Sequence, residues 1–176
     1  MSRVSRESYD LWVKEEVTPN VLSEEQVTGL LQFIEGKISL GSSDCDIGAD
    51  KTAWDDDGVV ERLWQILDAS VREKFAIKRD LKISKVLALK TEKRGYYYER
   101  YWEIEEDSQI KYSGVVTLSE GYGDGESVYF RARKSVPVVG DMMIHRHEKL
   151  NSWAINTVTS GVRLDIILTL EELEKD

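Results

Sequence analysis

The chain has 176 residues, of which 41% are hydrophobic and 32% charged, and its formal net charge is -9. That length suits one domain around one core. The acidic balance excludes a general nucleic-acid binder, which needs basic surface to displace counterions.

The first residues, Met1 to Arg6, lack the apolar core of a secretion signal, and no apolar run approaches the length of a membrane span. A cytoplasmic location without a membrane partner is expected. Cys45 is the only cysteine, so an intrachain disulfide and a cysteine-rich zinc site are excluded. Among Ser42, Ser43, Asp44 and Asp46 it reads as a loop residue, because neighbouring carboxylates disfavour its thiolate.

Ser23 opens the first helix, with Gln26 placed three residues later as a capping box requires. Val27, Leu30, Leu31 and Ile34 recur at helical spacing, and Gly36 is the expected stop. The stretch 41–57 reads as a loop. A second helix is expected from about Gly58 to Phe75, with Val60, Leu63, Trp64, Leu67 and Val71 on one face. From Leu81 the pattern becomes one of strands. Val86 to Leu89, Tyr96 to Tyr101, Tyr112 to Leu118, Ser127 to Arg131, Met142 to His145, Trp153 to Val158 and Val162 to Leu170 are apolar or aromatic runs. Gly121, Gly123-Asp124-Gly125, Gly140 and Ser160-Gly161 punctuate them. The organisation implies one domain over 1–176. Its helical preface spans about 8–80 and its β core about 81–170, a β-sandwich or jelly roll with helices on one face.

Several weak signals fall in one order. Gly95 leads into Tyr96-Tyr97-Tyr98 and Tyr101-Trp102-Glu103. Val115-Val116-Thr117-Leu118 and Tyr122-Gly123-Asp124-Gly125-Glu126 follow. Then come Val136-Pro137, Gly140-Asp141-Met142-Met143-Ile144 and Val158-Thr159-Ser160-Gly161-Val162-Arg163. In this order the chain resembles the prolyl 4-hydroxylase-like 2-oxoglutarate, Fe(II)-dependent oxygenases, with motifs over roughly 87–170. The resemblance implies an α+β, mainly β fold: a double-stranded β-helix (jelly roll, cupin-like) with two N-terminal helices packed on one sheet. In that family an iron triad reads His-x-Asp…His, and a following arginine grips the remote carboxylate of 2-oxoglutarate. Here the resemblance puts Tyr101, Glu103 and Trp153 at the triad positions and Arg163 at the arginine, with Tyr98 lining the cosubstrate pocket.

Those residues change the chemistry. A facial triad needs three lone pairs aimed at the metal. Glu103 still offers a carboxylate oxygen, displaced by one methylene. Tyr101 is a phenol that stays mostly protonated below a pKa of about 10. The Trp153 indole is a donor only and offers no lone pair. Both aromatics also suit plain core filling. Arg163 has two readings: a bidentate carboxylate clamp, or a strand residue paired with an acidic neighbour such as Asp165 or Glu103. The only two histidines, His145 and His147, stand two apart and would share a strand face. With Glu103 they are the one alternative metal set. Otherwise no metal site is expected.

The expected function is therefore a divergent oxygenase-fold protein without the standard iron triad and with no cofactor. It would be a binding protein, or carry out metal-independent chemistry on a small organic anion or peptide held in an aromatic pocket. The alternative is an active dioxygenase using Fe(II) and 2-oxoglutarate through non-standard or relocated ligands. A plain interaction module with the pocket packed shut is the third reading, and self-association is left open.

Overall fold

The computed structural model describes residues 17–37, 44–46, 58–92, 97–98, 111–129, 133–146 and 153–173. Helix α1, Glu24–Lys37, begins at the expected capping box. The Ser23 N–H donates to Gln26 Oε1 at 2.9 Å, and the Gln26 N–H donates to Ser23 Oγ at 3.2 Å. Two otherwise orphaned donors of the first turn are thereby satisfied. Helix α2, Val59–Phe75, ends at Ala76 in the left-handed region. Val60, Leu63, Leu67 and Val71 form its buried face, and Val27, Leu30 and Ile34 that of α1.

Twelve strands are formed by the described residues. They are β1 (Val17–Thr18), β2 (Asp44–Asp46), β3 (Leu81–Glu92), β4 (Tyr97–Tyr98), β5 (Lys111–Thr117) and β6 (Gly123–Asp124). The series continues with β7 (Ser127–Tyr129), β8 (Arg133–Ser135), β9 (Met142–Arg146), β10 (Trp153–Ile155), β11 (Val158–Ser160) and β12 (Val162–Glu172). One sheet has six strands in the order β1-β9-β5-β12-β3-β2, a second has four in the order β4-β10-β7-β8, and β11 and β6 make a two-stranded ribbon. All these pairings are antiparallel.

Alternation along β12 sorts the two faces of the large sheet. Leu164, Ile166, Leu168 and Leu170 join the buried faces of α1 and α2 in the larger core. On the other face Ile167 packs with Leu87, Leu89, Val115 and, from the four-stranded sheet, Ile155. That cluster ties the two sheets face to face. The result is the jelly roll with two helices on one sheet that the sequence implies.

The short strands differ from expectation. Within 41–57, Asp44 to Asp46 pair with β3, so Cys45 lies opposite Ala88 on a strand rather than in a loop. Strands β1, β6 and β8 have no sequence signal of their own, and Trp153 to Val158 is two strands. The break falls at Asn156, whose backbone N–H and side-chain amide both donate to Glu126. Among the described residues no helix is long and apolar enough to cross a membrane.

Candidate functional site: a buried arginine between the two sheets

The inner face of β12 turns polar at its first residues. Arg163 follows Gly161, whose φ of 70° makes the tight turn between β11 and β12. The Arg163 side chain is 0% exposed, and so is that of Asp165 two residues on. Period-two geometry puts both on one face, where they form a fork. Arg163 Nε donates to Asp165 Oδ2 at 2.9 Å, and Nη2 donates to Oδ1 at 3.0 Å. This is the bidentate arrangement in which a guanidinium matches a carboxylate best.

The remaining donors reach the opposite sheet and its approach. Nη1 donates to the Gly125 carbonyl at 2.7 Å and Nη2 to Ser127 Oγ at 2.9 Å. Thr117, next to Asp165 in the register of β5 and β12, donates its hydroxyl proton to Asp165 Oδ1 at 2.6 Å. A buried charge needs this degree of pairing to persist. Tyr122 completes one wall, with the Arg163 guanidinium carbon 5.9 Å from its ring centroid.

Burial, the largest influence, raises the Tyr122 pKa above its ordinary value; Arg163 pulls it down and Asp165 pushes it up. The folded state therefore holds this proton more tightly than the unfolded chain does. Stability is expected to fall as pH rises above the unfolded value of about 10. Urea unfolding at pH 9 and pH 11 checks this. The Tyr122→Phe chain should lose less stability between the two than the parent does.

Beside the fork lies a cavity of about 140 Å³. Thr117 and Ser127, both bonded within the Arg163 cluster, form its polar end. Val17, Val115, Val138 and Met143 give it apolar walls, and Asp141 also lines it. Thr117 is visible in the sequence only as one polar residue in an apolar run. Ser127 and the Gly125 carbonyl carry no local signal, because they reach Arg163 from the other side of the roll.

The residues singled out from the sequence are distributed as follows. Tyr101, Glu103 and His147 lie outside the described residues. Trp153 is in β10, opposite Tyr129 and two positions before Ile155, which pairs with Ser127. Tyr98 is in β4, opposite Ala154. The backbone thus brings the strands of Tyr98, Trp153 and Ser127 together, and Ser127 touches Arg163. His145 is buried in β9 opposite Ser113, whose other neighbour in register is Thr169. Thr169 is six positions along β12 from Arg163, roughly 20 Å at the rise of a strand. That separation is far longer than a 2-oxoglutarate molecule. Among the described residues no group of three His, Cys, Asp and Glu side chains is arranged to hold a metal ion.

Two facing antiparallel sheets, two helices on the larger one, and an arginine entering the roll after a glycine turn define the class. The chain has the double-stranded β-helix fold of the prolyl hydroxylase-like 2-oxoglutarate oxygenases. A collagen prolyl hydroxylase of Paramecium Bursaria Chlorella virus-1 superposes with a TM-score of 0.71 at 14% identity, covering 90% of each chain. HygX from Streptomyces hygroscopicus, solved with nickel and 2-oxoglutarate, superposes with a TM-score of 0.67 at 15% identity, over 97% of this chain and 88% of that one. A prolyl-4-hydroxylase of Pseudomonas putida superposes with a TM-score of 0.65 at 13% identity, over 90% of this chain and 92% of that one. No family model matches the sequence, and no curated protein matches it.

Proposed function

We propose that this oxygenase-fold chain does not run the standard iron- and 2-oxoglutarate-dependent hydroxylation, and acts instead as a binding protein or through metal-independent chemistry inside the roll. The observation that carries this reading is the state of Arg163. The guanidinium that would grip the remote carboxylate of 2-oxoglutarate is wholly buried and already forks a carboxylate of its own strand, Asp165. An incoming dicarboxylate would have to displace Asp165 and leave its charge buried without a cation.

The donor set points the same way. Trp153 stands at the distal triad position, and an indole N–H has no lone pair to give. A phenol at Tyr101 leaves Glu103 as the one ordinary ligand of the three. The residues present do not fit Fe(II) with 2-oxoglutarate. A small organic anion held by Arg163 faces the same obstacle as 2-oxoglutarate.

The test is calorimetric titration of the purified chain with Mn(II) or Fe(II) in the presence of 2-oxoglutarate, joined to an assay of succinate release. The expected result is no stoichiometric metal binding and no iron-dependent succinate. The fold shared with HygX, which was solved with nickel and 2-oxoglutarate, favours the opposite reading of an active dioxygenase. Under that reading succinate appears with iron, and Glu103→Ala abolishes it.

A further inference from the structure

We infer that Asp165 is a built-in occupant of a carboxylate site, and that this side chain alone keeps the site from binding free carboxylates. The inference rests on the reading of Arg163 given above and goes beyond it, because it assigns the exclusion to one residue.

Three donated hydrogen bonds converge on the Asp165 carboxylate. They come from Arg163 Nε at 2.9 Å, Arg163 Nη2 at 3.0 Å and the Thr117 hydroxyl at 2.6 Å. A cation, a rigid fork and a neutral hydroxyl make a complete receptor for one carboxylate. Its position is held from elsewhere: Nη1 is anchored on the Gly125 carbonyl, and Nη2 also donates to Ser127 Oγ. The receptor therefore does not depend on Asp165 for all of its orientation.

Asp165 reaches this receptor from two residues along the same strand. Binding within one strand has an effective concentration that a dissolved carboxylate cannot match. An approach for a free ligand exists, since the cavity of about 140 Å³ shares Thr117 and Ser127 with the cluster. Asp141, which also lines that cavity, adds a second negative group on the same side. The intact chain thus favours uncharged occupants of the cavity over anions. Truncating Asp165 to alanine removes the tethered carboxylate group, keeps Cβ, and leaves a space of formate size against the fork.

The experiment compares the thermal unfolding of four chains: the parent, Asp165→Ala, Asp165→Asn and the double variant Arg163→Met/Asp165→Leu. Each is measured in 100 mM sodium formate, in 100 mM sodium chloride, and in sodium chloride with 100 mM formamide. For Asp165→Ala the midpoint is expected to rise by about 3–5 °C in formate over chloride, with no rise from formamide. The other three chains should not respond, because the fork is filled in the parent and in Asp165→Asn, and absent in the double variant. An Asp165→Ala chain that is unfolded in chloride and recovers its circular dichroism on dialysis into formate supports the inference equally. An Asp165→Ala chain that folds and ignores formate overturns it, as does one that stays unfolded in both salts. A formate response in Asp165→Asn also overturns it, because occupancy would then not be what excludes the ligand. Titration of the parent with 2-oxoglutarate is read separately. Binding there defeats the functional reading, whereas an unresponsive Asp165→Ala chain defeats only the assignment to Asp165.

Discussion

Replacing Asp165 by alanine is expected to lower the unfolding free energy by about 3–5 kcal/mol, because it leaves the buried Arg163 charge without its carboxylate. The magnitude follows from burial rather than from the number of bonds lost. Both side chains are 0% exposed, so the fold supplies no second anion to balance the guanidinium once the carboxylate is gone. Thr117 loses its acceptor in the same step. The double variant Arg163→Met/Asp165→Leu should recover most of the loss, since it removes both desolvated charges and keeps apolar volume. Urea unfolding of the parent, the single variant and the double variant measures this. A double variant as unstable as Asp165→Ala would mean that the Gly125 and Ser127 contacts of Arg163 matter more than its charge.

The second large effect lies on the opposite face of the same sheet. A Cβ built on Gly114 would stand 2.9 Å from Leu67 Cδ1 and 2.9 Å from Met142 Sδ. Helix α2 therefore approaches β5 as closely as it does because position 114 has no side chain. Gly114→Val should cost about 1–3 kcal/mol through overpacking, with Leu67 and Met142 forced from their rotamers. Leu67→Ala, which empties a fully buried site, should cost about 2–5 kcal/mol. The two changes should not add: in the Leu67→Ala background, Gly114→Val fills part of the hole and costs less than it does alone. A double-mutant cycle by chemical denaturation checks the sign of that coupling.

The parts of the fold legible in the sequence are those whose residues carry their own pattern. Val60, Leu63, Leu67 and Val71 repeat at helical spacing, and all four are fully buried under α2. Ser23 and Gln26 announce a helix start that needs nothing from the rest of the chain. Strands β3, β5 and β12 are long enough, and buried enough, to read as apolar runs. The two- and three-residue strands are different. Val17-Thr18 becomes a strand because Met142 and Met143 offer it an edge, and Asp44 to Asp46 because β3 does. Nothing in their own residues demands extension, so only the assembled sheet decides it.

The site divides along the same line. That Arg163 and Asp165 share a face follows from the strand period alone. Which acid would take the guanidinium does not, since Asp165 and Glu103 are both sensible partners until the rotamer is seen. The contribution of Ser127 and Gly125 depends on how the four-stranded sheet lies over the six-stranded one, which no local motif encodes.

Strand β12 lies between β5 and β3 at the middle of the large sheet, yet of the described strands it is the last to be synthesised. Until it leaves the ribosome, β3 and β5 each present an open edge, and both cores lack their central element. Until then the sheet remains unfinished, with exposed apolar strands that favour chaperone engagement. The Arg163–Asp165 pair arrives together on that same segment, so neither charge ever waits for its partner.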